Sequence, residues 1–254
     1  MEPKNSAALV SGGASGMGAA TARLLSQAGA RVTILDRDIE RATALAEEIN
    51  GLAISCDVTD GNNVQAAINQ AQAAHGIARI CINCAGIIHS KRMVGKQGPL
   101  PLEEFQQVIQ INLVGTFNLM RLAAAAMMQA EPLGQSGERG IIINTASVAA
   151  FEGQIGQTAY SASKSGVVGM TLPAARELAQ WGIRVMTIAP GLVDTPMLDK
   201  IPAEARQSLA NSVPFPKRLA DPTEYAKLAM HIIENEMLNG EVIRLDCALR
   251  MQEK

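Results

Sequence analysis

Ala7-Ala8-Leu9-Val10-Ser11-Gly12-Gly13-Ala14-Ser15-Gly16-Met17-Gly18, running into the amphipathic stretch Ala19 to Ala28, is the passage on which the fold turns. A short apolar run, a glycine cluster and a helical repeat in direct succession read as strand, tight turn and helix. The glycines let the backbone bend sharply and approach a pyrophosphate, whose charge is favoured by the unpaired N–H groups at a helix start. The spacing is G-x-x-x-G-x-G rather than G-x-G-x-x-G. A glycine cluster after a strand is by itself only a turn, so its meaning depends on the rest of the chain.

The same rhythm continues. Apolar, β-branched runs recur at Arg31 to Leu35, Leu52 to Ser55, Ile80 to Asn83, Gly140 to Asn144, Arg184 to Ile188 and Glu241 to Leu245. They read as strands buried on both faces. Helical spacing fills the intervals at Ile39 to Ile49, Asn63 to His75, Leu102 to Met128, Ala159 to Gln180 and Pro222 to Glu234. Parallel strands need crossovers of that length, so the expected fold is α/β: a Rossmann-type doubly wound parallel sheet of about seven strands with helices on both faces. No low-complexity linker divides the chain, so one domain over residues 1–254 is expected. Ser90 to Pro101 and Pro132 to Arg139, rich in Gly, Pro and polar residues, read as exposed loops. Residues 192–219 carry Pro196, Pro202, Pro214 and Pro216 among apolar side chains and read as short helices covering a pocket.

Of 254 residues 48% are hydrophobic, and the formal charge is only -2. Such a chain can bury a large core, and it lacks the basic blocks that nucleic acid or an anionic membrane would attract. The expected partner is a small molecule. No continuous run of about 18 apolar residues occurs, and Met1 to Ser6 is too short and polar for a signal peptide, so the expected location is the cytoplasm, or the mitochondrial matrix in a eukaryote. Four cysteines fit a reducing compartment. Cys81 and Cys84 read as buried strand residues on opposite faces, and His75, His89 and His231 lack metal-ligand spacing, so no metal is expected.

The second strand ends near Asp36, where a carboxylate can accept hydrogen bonds from an adenine-ribose 2′-hydroxyl and would repel a 2′-phosphate. NAD is favoured over NADP, with Arg37 as the counter-signal. Asp57-Val58 and Asn83-Cys84-Ala85-Gly86 follow the third and fourth strands on the side where such sheets bind ligands. Ser147 stands at the carboxyl end of the fifth strand. Tyr160 and Lys164 follow one helical turn apart on one face. A phenol titrating near 10 is a poor base at neutral pH, and a nearby ammonium is expected to lower that value, making Tyr160 an acid or base. Asn112, at the start of the helical run to Met128, is read as ordering a proton-relay water.

Taken in order, these motifs resemble the short-chain dehydrogenase/reductase family along nearly the whole chain. The matching positions are Gly12, Gly16 and Gly18, then Asn83-Cys84-Ala85-Gly86, Asn112, Ser147, Tyr160, Lys164, and Pro190-Gly191 with Thr195. The resemblance implies that Tyr160 is the acid/base, Lys164 holds the nicotinamide ribose, Ser147 orients the substrate and Asn112 serves the relay. It further implies Ser15, Met17, Pro190, Val193 and Thr195 as cofactor contacts, Gln154 and Gln157 as substrate contacts, and a homotetramer. Ser11 replaces a usual Thr and Cys84 the commoner second Asn. Cys247 stands where a Gly usually follows the last strand, and a Cys tolerates positive φ poorly, which puts the C-terminal turn in question.

Within the family, the runs Asn144 to Gln154, Val213 to Pro216 and Asn239 to Asp246 resemble the group acting on 3-hydroxyacyl-CoA thioesters, which also accepts steroid-like alcohols. For such a substrate Phe151, Met197, Leu198, Ile201 and Phe215 are candidates for an apolar slot, and Lys91, Arg92, Lys96, Lys217 and Arg218 for the CoA phosphates. The alternatives are a hydroxysteroid dehydrogenase, a 3-oxoacyl-thioester reductase, or a noncatalytic NAD-binding scaffold. The apolar helix Leu113 to Met128 and the small residues of Gly166 to Ala175 would both be covered in an oligomer.

Overall fold

In the computed structural model, which describes residues 1–198 and 201–253, the opening passage folds as strand β1 (Ala7–Ser11), a glycine turn and helix α1 (Gly16–Gln27). The alternation continues through β2 (Arg31–Asp36), α2 (Ile39–Ile49), β3 (Leu52–Ser55), α3 (Gly61–His75) and β4 (Ala78–Asn83). A small antiparallel hairpin, β5 (Val94–Gly95) with β6 (Gly98–Pro99), stands inside the first inserted loop. Then come α4 (Leu102–Ile109), a π-helical turn (Gln110–Val114), α5 (Gly115–Met127), β7 (Gly140–Thr145), α6 (Thr158–Ala179), β8 (Ile183–Pro190), α7 (Ala203–Ser212), α8 (Pro222–Glu234) and β9 (Val242–Leu245). The doubly wound reading holds, with most boundaries within two residues of the periodicity.

The sheet is parallel throughout, in the order β3-β2-β1-β4-β7-β8-β9. Side chains alternate across it, as a period of two requires. Val10, Ile34, Ile80, Ile82, Ile141 and Ile143 point to the face covered by α1, α2 and α8. Leu9, Leu35, Cys81, Ile142 and Val185 point to the face covered by α3, α5 and α6. Cys81 and Cys84 accordingly belong to opposite layers. The stretch Leu102–Met127 is apolar and long enough to cross a membrane by composition (mean hydropathy 1.3), and half of that window is buried inside this fold.

One loop reading needs correction. The loop from Pro132 is exposed at its tip, but Glu138 is buried, because the fully folded chain brings Arg184 of β8 against it. In 192–219, a 3-10 turn (Pro196–Leu198) and the ten-residue helix α7 occupy what read as short helices; Asp199 and Lys200 of that segment lie outside the described residues. The C-terminal turn forms without its glycine: Cys247 and Ala248 take φ of 53° and 62°. Backbone there is strained, and the Asp246 carboxylate compensates by accepting from the Ala248 N–H at 3.1 Å.

Candidate active site

The strand order reverses direction between β1 and β4, the place where open parallel sheets leave a crevice beyond their carboxyl ends. Ser11 and Asn83 are in register there, and the Cys84 N–H donates to the Ser11 carbonyl at 3.0 Å. Gly12 (φ +61°) follows; a Cβ on it would lie 2.6 Å from the Ala85 nitrogen. A Cβ on Gly18 would lie 2.2 Å from the Gly12 carbonyl oxygen. The glycines are therefore set by close backbone packing as well as by turn geometry. Ser15 caps α1 without a side-chain hydrogen bond, so the first-turn N–H groups of Gly16, Met17 and Gly18 are left for an anion.

A cleft of about 570 Å³ opens from this point. At one end it is lined by Asp36, Arg37, Asp57 and Val58, in the middle by Gly12, Ser15, Gly16, Met17, Gly18, Cys84, Ala85 and Gly86, and at the other end by Tyr160, Lys164 and Thr195. Asp36 accepts from the Ala14 N–H at 3.0 Å and from the Asp38 N–H at 3.0 Å, one on each carboxylate oxygen. That fixes the carboxylate yet leaves lone pairs for hydroxyl donors. The Arg37 guanidinium lies 3.8 Å from Asp57. Asp57 is held below the usual carboxylate range, chiefly by hydrogen bonds from the Thr59 hydroxyl and N–H, with Arg37 adding to the effect. A nucleotide fits this chemistry: a pyrophosphate on the bare helix start and a ribose diol on Asp36.

At the far end the electrostatics differ from the simple expectation. Burial raises the Tyr160 phenol above its ordinary value, and a hydrogen bond with Ser147 works against that rise. Burial also pushes Lys164 down to about 8. The ammonium is 5.8 Å from the centre of the Tyr160 ring and donates to the Thr145 carbonyl at 2.8 Å. Sharing a helical face brought the two groups near, but Lys164 does not touch the phenol, so it is not what lowers it. The Ser147 hydroxyl oxygen accepts from the Ala149 N–H at 3.1 Å.

Asn112 sits within a continuous helical rod rather than at a helix start, on the π turn that separates α4 from α5. Such turns insert one extra residue and often mark functional positions. The side chain is fully buried and committed: its oxygen accepts from the Ile87 N–H at 2.8 Å, and its amide donates to the Ile87 carbonyl at 2.9 Å and the Ser163 hydroxyl at 3.1 Å. It lines no part of the cleft and instead clasps the segment after Gly86 to α6.

Other anticipated residues also lie away from the cleft wall. Pro190 is buried at the end of β8, and Val193 is buried in a bridge to Ala220. Gln154 and Gln157 bond to each other, and Gln154 reaches the Gln252 carbonyl. Ile87, Ile88, Ile111 and Ala146 line the cleft without having been singled out. Small or apolar residues beside a motif carry no signal of their own until the chain closes around them. Of the apolar slot candidates, Met197 lines the cleft, while Phe215 is 83% exposed.

The short chain dehydrogenase family model matches residues 6–206. The chain belongs to that family. It is 54% identical to 3-hydroxyacyl-CoA dehydrogenase type-2 of Bos taurus over 98% of this chain and 97% of the relative. It is 34% identical to a 3-oxoacyl-[acyl-carrier-protein] reductase of Thermotoga maritima over 95% of this chain and 96% of the relative. A crystal structure of 3-hydroxyacyl-CoA dehydrogenase type-2 from Mycobacterium avium superposes with a TM-score of 0.94 at 44% identity, covering 98% of each chain. The chain is thus an oxidoreductase with a Rossmann-type nicotinamide nucleotide site, and the scaffold alternative falls away.

Proposed function

We propose that this oxidoreductase uses NAD to interconvert a 3-hydroxyacyl-CoA and its 3-oxoacyl-CoA. The carrying observation is a single cleft with Asp36 at one end and Tyr160 beside Lys164 at the other. When bound, a nicotinamide ring supplies the hydride acceptor or donor. Tyr160 takes or gives the proton at the substrate oxygen, and Ser147 positions that oxygen through its hydroxyl. Lys164 offers its ammonium to the ribose hydroxyls while the Thr145 carbonyl holds it. Asn112 keeps Ile87 and Ser163 in place behind them.

NAD is preferred because the anchored Asp36 carboxylate meets a 2′-phosphate as a like charge, and Arg37 is turned toward Asp57. Asp36→Ala is expected to shift the NADP-to-NAD ratio of kcat/KM by about tenfold or more toward NADP, a factor worth about 1.4 kcal/mol. An unchanged ratio in steady-state assays would remove Asp36 as the discriminator.

For the acyl moiety, both kinds of relative described above carry names of thioester enzymes, which favours a thioester over a steroid. Appearance of NADH with 3-hydroxybutyryl-CoA, measured beside a hydroxysteroid, tests this directly; faster turnover of the steroid would overturn it. The structure narrows the phosphate candidates. Lys91 pairs with Glu104, and Arg218 pairs with Glu224 through both guanidinium arms. Arg92, Lys96 and Lys217 are exposed. Changing these three to Ala is expected to raise KM for the acyl-CoA about tenfold, a magnitude typical of lost charge-assisted contacts, and to spare a small secondary alcohol. Equal effects on both would sink the phosphate role. We take the 192–219 segment as the cover of this site. Val114, Phe117 and Leu172, exposed on the π turn, α5 and α6, support a homotetramer. We propose a cytoplasmic location, or the mitochondrial matrix in a eukaryote.

A further inference from the structure

Lys164 is held by the carbonyl of Thr145, and the hydroxyl of the same residue belongs to a buried ring of three polar groups. The Tyr225 hydroxyl lies 2.7 Å from Thr145 Oγ1. Thr145 Oγ1 donates to Cys84 Sγ at 3.5 Å, and Cys84 Sγ donates to the Tyr225 hydroxyl at 3.7 Å. With Tyr225 as donor to Thr145, each group donates once and accepts once, so the ring closes without an unpaired proton. Tyr225 is completely buried. It comes from α8, an element that carries none of the active-site motifs.

The start of α8 is built to hold that phenol still. Asp221 caps the helix by accepting from the Thr223 N–H at 2.8 Å, and Glu224 reaches back to the Asp221 N–H at 2.8 Å in a capping box, with Pro222 at the first helical position. Arg218 then grips the Glu224 carboxylate through both arms. Tyr225 is the next residue. Its hydroxyl meets Thr145 at the carboxyl end of β7.

We propose that Tyr225 is a positioning residue for hydride transfer: by fixing the Thr145 side chain it orients the Thr145 carbonyl that holds the Lys164 ammonium beside Tyr160. This rests on the role given above to Lys164. The titratable groups facing Lys164 are Tyr160 on its own helix, Cys84 after β4 and, through Thr145, Tyr225 of α8. A well-placed carbonyl acceptor favours the charged amine. Loosening it makes Lys164 lose its proton at lower pH, where the ribose hydroxyls lose their donor.

Tyr225→Phe keeps the ring and removes the hydroxyl. Its expected signature is a downward shift of about half a pH unit in the alkaline limb of kcat/KM for NAD, with KM for NAD raised about fivefold. Thr145→Val deletes the same bond from the other side and keeps the carbonyl; it is expected to move the limb in the same direction, and adding Tyr225→Phe to it should move the limb no further. A limb unmoved in both single variants, even with a lowered thermal midpoint, would leave Tyr225 a purely structural residue, and additive shifts would equally refute the relay. Lys164→Met, run in parallel, separates the two claims. If that variant loses the limb while Tyr225→Phe keeps it, the positioning role alone falls; if all profiles superimpose, the role of Lys164 falls with it.

Discussion

Tyr160→Phe is expected to lower kcat by about a thousandfold, within the range that positioned proton transfer contributes, while NAD binding changes little. The substitution removes one oxygen atom. Lys164 keeps its bond to the Thr145 carbonyl, and Asp36 keeps its two backbone donors, so the groups expected to hold the nucleotide are untouched. The pH dependence follows from the same burial. The phenol is raised, so the proton-accepting form grows as pH increases and oxidation accelerates. Lys164, pushed down to about 8, loses its proton at lower pH than the raised phenol does, so the gain in rate should level off above about pH 8 and turn down only at higher pH. Stopped-flow titration for binding and initial rates across pH for turnover check both parts. Turnover unchanged in the variant would overturn the mechanism.

Glu138→Ala is expected to cost about 3–5 kcal/mol, the usual loss when one member of a buried ion pair is removed. Glu138 and Arg184 are 5% and 6% exposed, and Arg184 Nε donates to the carboxylate at 2.7 Å. The other guanidinium nitrogens donate to the carbonyls of Ile232, Ile233, Asn235 and Leu238, tying β8 to the end of α8. The Met1 amino group also pairs with Glu138, at 2.9 Å. Without the carboxylate, Arg184 stays buried among neutral acceptors, and the Met1 ammonium keeps only the Ile233 carbonyl and the more distant Glu236 carboxylate, 3.9 Å away. For a chain of this size the loss corresponds to a thermal midpoint about 10 °C lower. The double variant Glu138→Leu with Arg184→Met should recover a good part of it, since the desolvation of both charges disappears. A midpoint within about 2 °C of the parent in the single variant would show that the carbonyls alone satisfy Arg184.

The legible features share a property: each is dictated by neighbours in sequence. The β-branched run Gly140 to Asn144 could only be a doubly buried strand, and β7 is buried along its whole length. Pro222 with the acidic pair Asp221 and Glu224 announces a helix start, and α8 begins there. The position of the helix break near Asn112 carried no such mark. Gln110-Ile111-Asn112-Leu113-Val114 contains neither Gly nor Pro, so nothing local distinguishes a π turn from ordinary helix. The break coincides with the clasp between Asn112 and Ile87, a contact twenty-five residues away in sequence. Glu138 misled for a related reason: in a polar loop a carboxylate belongs in water, unless the fold delivers an arginine to it.

The sequence by itself determined the parallel sheet, the glycine turn that brings backbone to a nucleotide, and the spacing that puts Tyr160 and Lys164 on one helical face, because all three follow from local periodicity and backbone sterics. Only the tertiary structure decided what those two side chains feel. Burial, rather than mutual attraction, sets the direction in which each titrates, and Lys164 is held through the Thr145 carbonyl. Solvent exclusion and hydrogen bonds between distant segments arise when the chain closes on itself, and no window of sequence contains them.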